Sequence, residues 1–380
     1  MNFDSKVYTV SMSSKKKWSL SVKIAVVSVV VIGLIITTFL VVKRPQTVAL
    51  PEPSLKVLAA KHGIALGNFT MLGMIDEKPF ADILTSQFDF GLADNTPNWY
   101  FTDGGMRPSA TTYNYKQVDQ VLAFSKTHNM PIQAHHLLWG EEKWLPEWLK
   151  KGNYTKEQIM DIIHDHIQTV GSHYSGQIKE WTVVNEAFTR GQHFYGLNDW
   201  FADHTGGKEY IDNAFIWARA ADPHAKLILN DFNNEGINDV SNEMYDYTKA
   251  AKERGVPIDG IGMQMHIDGT HPPTKDEVIS NMKRFGALGV EVYVTEFDVN
   301  MNDIKANGNS KDQIEANIYY EMMRACIESK VCHSFAFLGI TDKETWYNYL
   351  GVPDARPLMF DKKYNPKPAF YSVRAALEQN

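Results

Sequence analysis

From residue 55 onward the chain alternates short apolar runs with longer amphipathic stretches. The runs Ile64–Phe69, Phe88–Ala93, Pro131–Trp139, Ile178–Asn185, Lys226–Asp231, Ile258–His266, Glu291–Asp298 and Val331–Thr341 carry the β-branched and aromatic residues of buried strands. Between them, apolar positions recur with helical spacing in Tyr115–Thr127, Thr155–Tyr174, Lys208–Ala220, Val240–Arg254, Thr274–Leu288 and Lys311–Lys330, and Lys367–Leu377 closes the chain. Thr155 with Gln158, Thr274 with Glu277 and Ser310 with Gln313 have the spacing of capping boxes, which mark helix starts. Alternation of this length implies a parallel sheet with crossover helices. Eight runs predict an α/β fold closed into a (β/α)8 TIM barrel. No G-x-G-x-x-G follows the first run, which argues against a dinucleotide-binding sheet.

The amino-terminal pattern is different. Ile24–Val42 is uncharged and almost wholly apolar, long enough to cross a bilayer as a single helix. Five lysines precede it, whereas Lys43 and Arg44 follow, and this excess predicts a cytoplasmic amino terminus. The expected organisation is a cytoplasmic tail (1–23), a transmembrane anchor (24–42), a Pro-containing linker (43–54) and an extracytoplasmic barrel (55–380). The length of the apolar run favours a single-pass anchor in the cell membrane. Thr47-Val48-Ala49 offers a weak cleavage site, so a secreted form is the alternative.

Composition narrows the function classes. The 380 residues carry a formal charge of −7, and the globular part has no basic stripe, so no nucleic-acid partner is expected. Nine tryptophans and seventeen tyrosines suit both a core and stacking against the apolar faces of sugar rings. Cys326 and Cys332 make a poor zinc site and are either buried thiols or a short-loop disulfide. Export of the domain favours the disulfide. Neither a metal nor another cofactor is expected, and the chain is expected to act as a monomer. Asn68-Phe-Thr70 and Asn153-Tyr-Thr155 are glycosylation sequons.

The polar residues that end the strands supply the chemistry. They are His135 and Trp139 in the third, Asn185 and Glu186 in the fourth, Asn230 and Asp231 in the fifth, Gln264 and His266 in the sixth, Glu296 and Asp298 in the seventh, and Thr341 and Asp342 in the eighth. In a barrel all of these converge on the carboxyl-terminal face, where active sites lie. Glu186 and Glu296 stand on strands that face each other across the mouth. Hydrolysis of a glycosidic bond needs such a pair, one carboxyl protonated and one ionised, with environment deciding which is which. His266 can keep Glu296 ionised, Asp298 can orient the histidine, and Asn185 can bond a sugar hydroxyl beside the reacting carbon.

These stretches resemble glycoside hydrolase family 10, whose main members are endo-β-1,4-xylanases. Trp181-Thr-Val-Val-Asn-Glu-Ala187 is similar to W-D-V-V-N-E-A, and Val294-Thr-Glu-Phe-Asp-Val299 to V-T-E-L-D-I. Gly260–His266 is similar to G-I-G-S-Q-T-H, Leu229–Asn233 to I-N-D-Y-N, Ala134–Trp139 to G-H-T-L-V-W, and Thr341–Trp346 to T-D-K-D-S-W. The resemblance implies a retaining double displacement on β-1,4-xylan or xylo-oligosaccharides, with Glu296 as nucleophile and Glu186 as acid/base. It further implies sugar contacts from His135, Trp139, Asn95, Trp99, Gln264, Asn230 and Trp346, and a disulfide between Cys326 and Cys332. Retention goes with a carboxyl separation of about 5–5.5 Å.

The departures from the family pattern cluster around the glycone sugars. Asn98 stands where a sugar-binding lysine is expected, Gly140 where the strand-three motif continues with a second histidine, and Leu338 where a tryptophan usually packs under the reacting sugar. Two further readings follow: a hydrolase of another β-linked glycan, or a carbohydrate-binding relative with weak turnover. Retention of both glutamates with Asn185, Gln264, His266 and Asp298 argues against the latter.

Overall fold

The computed structural model describes residues 49–93, 105–188, 199–352 and 355–379. The apolar run 24–42 and the expected sugar-binding residues Asn95 and Trp99, with Asn98, lie outside the described residues. Among the described residues no helix is long and apolar enough to cross a membrane.

The strands are β1 (Ala65–Phe69), β2 (Phe90–Ala93), β3 (Ile132–Trp139), β4 (Glu180–Asn185), β5 (Lys226–Asp231), β6 (Gly260–Met263), β7 (His266–Asp268), β8 (Glu291–Asn300) and β9 (Cys332–Phe337). They pair in parallel around a ring, β1 to β6, then β8 and β9, with β9 back on β1. This is the predicted eight-stranded barrel. In β4 every residue from Glu180 to Asn185 is buried. Such burial on both faces is what a parallel strand covered by helices requires, and it explains the near-continuous apolar run in the sequence.

Two strands differ from their predicted forms. The sixth run breaks at Met265, whose φ of 60° is a left-handed backbone value, and β7 then continues alone beside β8. The eighth ends at Phe337 rather than Thr341, and Gly339 follows with a φ of 119°. All seven expected helices form within three residues of their predicted bounds, among them Lys156–His173, Lys275–Gly286 and Pro368–Glu378. The capping boxes of Thr155 and Thr274 are present. The third is not. Asn307 caps the helix Gly308–Ser329 by accepting from the Ser310 backbone N–H, so the helix starts earlier than Ser310 would place it. Helices Leu55–Ala60 and Lys78–Gln87 add to those that the pattern predicts.

Three smaller features bound the domain. A disulfide joins Cys326 to Cys332, tying the end of Gly308–Ser329 to β9. Pro51, Glu52 and Pro53, read as linker, lend their carbonyls to Arg374 on the last helix and so are part of the folded body. Asn68 is fully buried and donates to the Gly339 carbonyl, which removes that sequon from the surface, whereas Asn153 is exposed.

Candidate active site

Strand register brings the site together. Trp139 lies beside Asn185, Asn185 beside Asn230, and Asn230 beside Gly262, so β3 to β6 present one layer at the carboxyl-terminal mouth. A Cβ on Gly262 would lie 2.0 Å from the Asn230 amide oxygen, so glycine there makes room for the asparagine. Just beyond β4, Glu186 has a φ of 59°, and its backbone N–H is held by the Asn230 carbonyl at 2.9 Å. Left-handed backbone at a non-glycine residue costs on the order of 1–3 kcal/mol and survives where its surroundings over-determine it. Met265 takes the same conformation between β6 and β7, and there Gln264 reaches toward β4 while His266 reaches toward β8.

The two glutamates are the ends of one chain of amide hydrogen bonds. Gln264 Nε2 donates to Glu186 Oε1 at 2.9 Å and to Asn185 Oδ1 at 3.2 Å. Asn230 Nδ2 donates to the same Asn185 oxygen at 2.8 Å and to Glu296 Oε1 at 2.9 Å. Trp139 Nε1 donates to the other Glu186 oxygen at 2.7 Å. Around Glu296, His135 Nε2 lies 3.7 Å from Oε1 and His266 Nε2 lies 3.6 Å from Oε2. His266 Nδ1 donates to Asp298 Oδ1 at 3.1 Å, and Trp346 Nε1 donates to Asp298 Oδ2 at 2.7 Å.

The electrostatics separate the pair. Burial pushes Glu186 up to about 8, and the nearby Asp231 and Glu296 add to this against the hydrogen bonds from Gln264 and Trp139. Burial acts upward on Glu296 as well, but His135, His266 and Asn230 outweigh it and hold that carboxyl below its usual value. Burial lowers His135 itself, so the charge beside Glu296 at neutral pH is that of His266. His266 would also fall on burial, yet Asp298 and Glu296 reverse this and raise it to about 10. At neutral pH the mouth therefore holds one protonated and one ionised carboxyl, which can deliver a proton and an electron pair to opposite ends of one bond.

Most of the residues singled out in the sequence meet here: Glu186, Glu296, His266, Asp298, Asn185, His135, Trp139, Gln264 and Trp346. Asn230 corrects an expectation. It is fully buried, its NH2 group holds Asn185 and Glu296, and its carbonyl accepts from Thr295 Oγ1 at 2.8 Å, so its amide is committed inside the protein instead of facing a sugar. Asp342 likewise leaves the mouth and pairs with Lys367. Thr295, Thr182 and Tyr347 were missed. Thr182 Oγ1 meets His135 Nδ1 at 3.3 Å, and Tyr347 donates to Asp298 Oδ1 at 3.4 Å. Adjacency to Glu296 and Trp346 was the only sequence signal for Thr295 and Tyr347.

Two of the family departures have a physical setting. A Cβ on Gly140 would lie 2.2 Å from Asp199 Oδ1, and that carboxylate is fixed by Tyr210 and the Ala202 N–H, so a histidine at 140 has no room. Leu338 is partly buried and packs against the small apolar cluster of Phe69, Phe90, Leu92 and Ala336.

A sequence model of glycosyl hydrolase family 10 matches residues 54–376. The chain is 34% identical over 332 residues to endo-1,4-beta-xylanase B of Thermotoga neapolitana, across 86% of this chain and 92% of that protein. It is 32% identical to the beta-1,4-xylanase of Dictyoglomus thermophilum, across 91% and 97% of the two. Among solved structures, xylanase 10B from Thermotoga petrophila RKU-1 in complex with xylobiose superposes with a TM-score of 0.79 at 32% identity, over 87% of this chain and 99% of that one.

Proposed function

The chain belongs to glycosyl hydrolase family 10, and on that premise we propose that it is a retaining endo-acting hydrolase of β-1,4-xylan and xylo-oligosaccharides. The observation that carries the reading is the pair of glutamates joined through one chain of amide hydrogen bonds, with burial favouring the protonated form of Glu186 while His135, His266 and Asn230 favour the ionised form of Glu296. Ionised Glu296 attacks the anomeric carbon while Glu186 gives its proton to the departing glycosidic oxygen, leaving a glycosyl–Glu296 ester and an ionised Glu186. Gln264 and Trp139 already donate to Glu186 and so favour the ionised form that this step creates. Glu186 then takes a proton from water, whose oxygen attacks the same carbon, and Glu296 leaves. The Asn185 carbonyl is taken by Asn230 and Gln264, which leaves its NH2 for a sugar hydroxyl. Asn95 and Trp99 are assigned to substrate binding by their family motif.

Glu296→Ala should abolish release of reducing sugars from xylan, and azide should restore turnover with inversion at the anomeric carbon. Unchanged activity in that variant would overturn the assignment of roles. Gly140, closed off by Asp199, and Leu338, in place of a stacking ring, favour a second reading in which the glycone sugar is not xylose. Parallel assays on xylan, β-glucan and cellulose separate the two.

We further propose that residues 24–42 anchor the enzyme in the cell membrane with the hydrolase domain outside, acting as a monomer. The uncharged apolar run and the lysine excess before it support the anchor and its orientation. Protease added to intact cells should remove the domain, and protection would reverse the orientation.

A further inference from the structure

Beyond β9 the described chain runs from Asp342 to Val352 and resumes at Ala355–Leu358, a segment whose two ends meet. Near the start of this segment Trp346 and Tyr347 both donate to Asp298. At its start Asp342 Oδ1 accepts the Leu358 N–H from its end at 2.9 Å. Lys367 sits below both ends. Its Nζ meets Asp342 Oδ2 at 3.0 Å, the Arg356 carbonyl at 2.8 Å, the Leu358 carbonyl at 2.7 Å and Glu315 Oε1 at 2.8 Å. Lys367 is 5% exposed, Asp342 4% and Glu315 1%, so this ammonium is desolvated among four acceptors for its three protons. Lys367 is itself the residue before the last helix, and its backbone N–H is held by the Met359 carbonyl. The other ion pair of the segment's first residues, Lys343 with Glu77, is largely exposed and contributes little.

We propose that Lys367 is a positioning residue for the reaction: by pinning both ends of the 342–358 segment it holds Trp346 and Tyr347 against Asp298, and through Asp298 it sets His266 beside Glu296. The inference rests on the hydrolase reading above. Three of the four acceptors of Lys367 come from the two ends of one segment. Methionine fills the same volume but supplies no donor, so in Lys367→Met the segment loses its fixed base and the Asp298 donors lose their geometry.

Kinetics of K367M on xylan in two backgrounds test this, at a temperature well below unfolding. In the otherwise native enzyme kcat/KM should fall about tenfold or more, the scale of a sub-ångström to ångström misplacement. The acid limb of the pH profile, set by Glu296 among His135, Glu186 and His266, should move upward as Asp298 loses support. In the Trp346→Phe, Tyr347→Phe double variant, where both Asp298 donors are already gone, K367M should cost under about twofold, because coupled residues are not additive. Equal losses in both backgrounds, or a loss with an unmoved acid limb, overturn the proposal. If K367M does not fold, Asp342→Asn carries the same test, since its remaining oxygen can still accept the Leu358 N–H. A native enzyme inactive on every glycan overturns the hydrolase reading and this inference with it. An active native enzyme indifferent to K367M overturns the inference alone.

Discussion

At the residue scale, the chemistry depends on which carboxyl keeps its proton. Glu186, held at about 8, must be protonated to assist departure, so kcat/KM of the free enzyme should fall as pH rises through that value. Trp139→Phe removes a donor that favours the ionised carboxylate, so the basic limb should move to higher pH, as a pH–rate profile on a short xylo-oligosaccharide would report. The same shift bears on stability. A carboxyl raised from 4.5 to about 8 contributes stability that is complete below 4.5 and is lost as pH climbs to about 8. Glu186→Gln cannot ionise, so its melting temperature relative to the native enzyme should rise across that window. A constant offset between the two melting curves at all pH values would contradict the assignment. Both glutamates were legible in the sequence because each ends an apolar run. His266 and Asp298 already pointed to Glu296 as the ionised one, whereas the rise of Glu186 comes from burial, which only the folded barrel creates.

At the scale of elements, caps and close approaches decide what local pattern cannot. Ser310 and Gln313 have capping-box spacing, yet Asn307 accepts the Ser310 N–H and the helix begins at Gly308. Asn307→Ala should therefore lower stability by about 1 kcal/mol in denaturant unfolding, with Ser310→Ala near neutral. Gly140 looks in sequence like a lost sugar ligand. In the fold it is the space that Asp199 occupies, and Gly140→Ala should destabilise by about 1–3 kcal/mol through forced displacement of that carboxylate. A histidine there, restoring the family motif, should fare worse still. The sixth strand illustrates the limit of periodicity. Its apolar run continues to His266, but the left-handed turn at Met265 divides it and sends Gln264 and His266 to different carboxyls.

For the molecule as a whole, ring closure turns local signals into one site. The Cys326–Cys332 disulfide spans a sequence separation of 6 and clasps the last barrel strand to its preceding helix. Replacing both with alanine should lower stability by about 2 kcal/mol, the value for so short a loop, and a thermal melt under non-reducing conditions checks it. By itself the sequence determined the strand and helix order, the parallel barrel and the polar residues at its mouth, because burial imposes periods that survive in one dimension. It also marked Glu186 and Glu296, since a carboxylate at the end of a buried strand stands out against its neighbours. Only the tertiary structure decided that Asn230 is an internal brace and not a sugar ligand, that Asp342 turns to Lys367, and that Gly140 is filled by Asp199. Those outcomes are set by atoms tens of residues apart in the chain. Hydrogen-bond geometry between strands has no signature in the order of residues along any one of them.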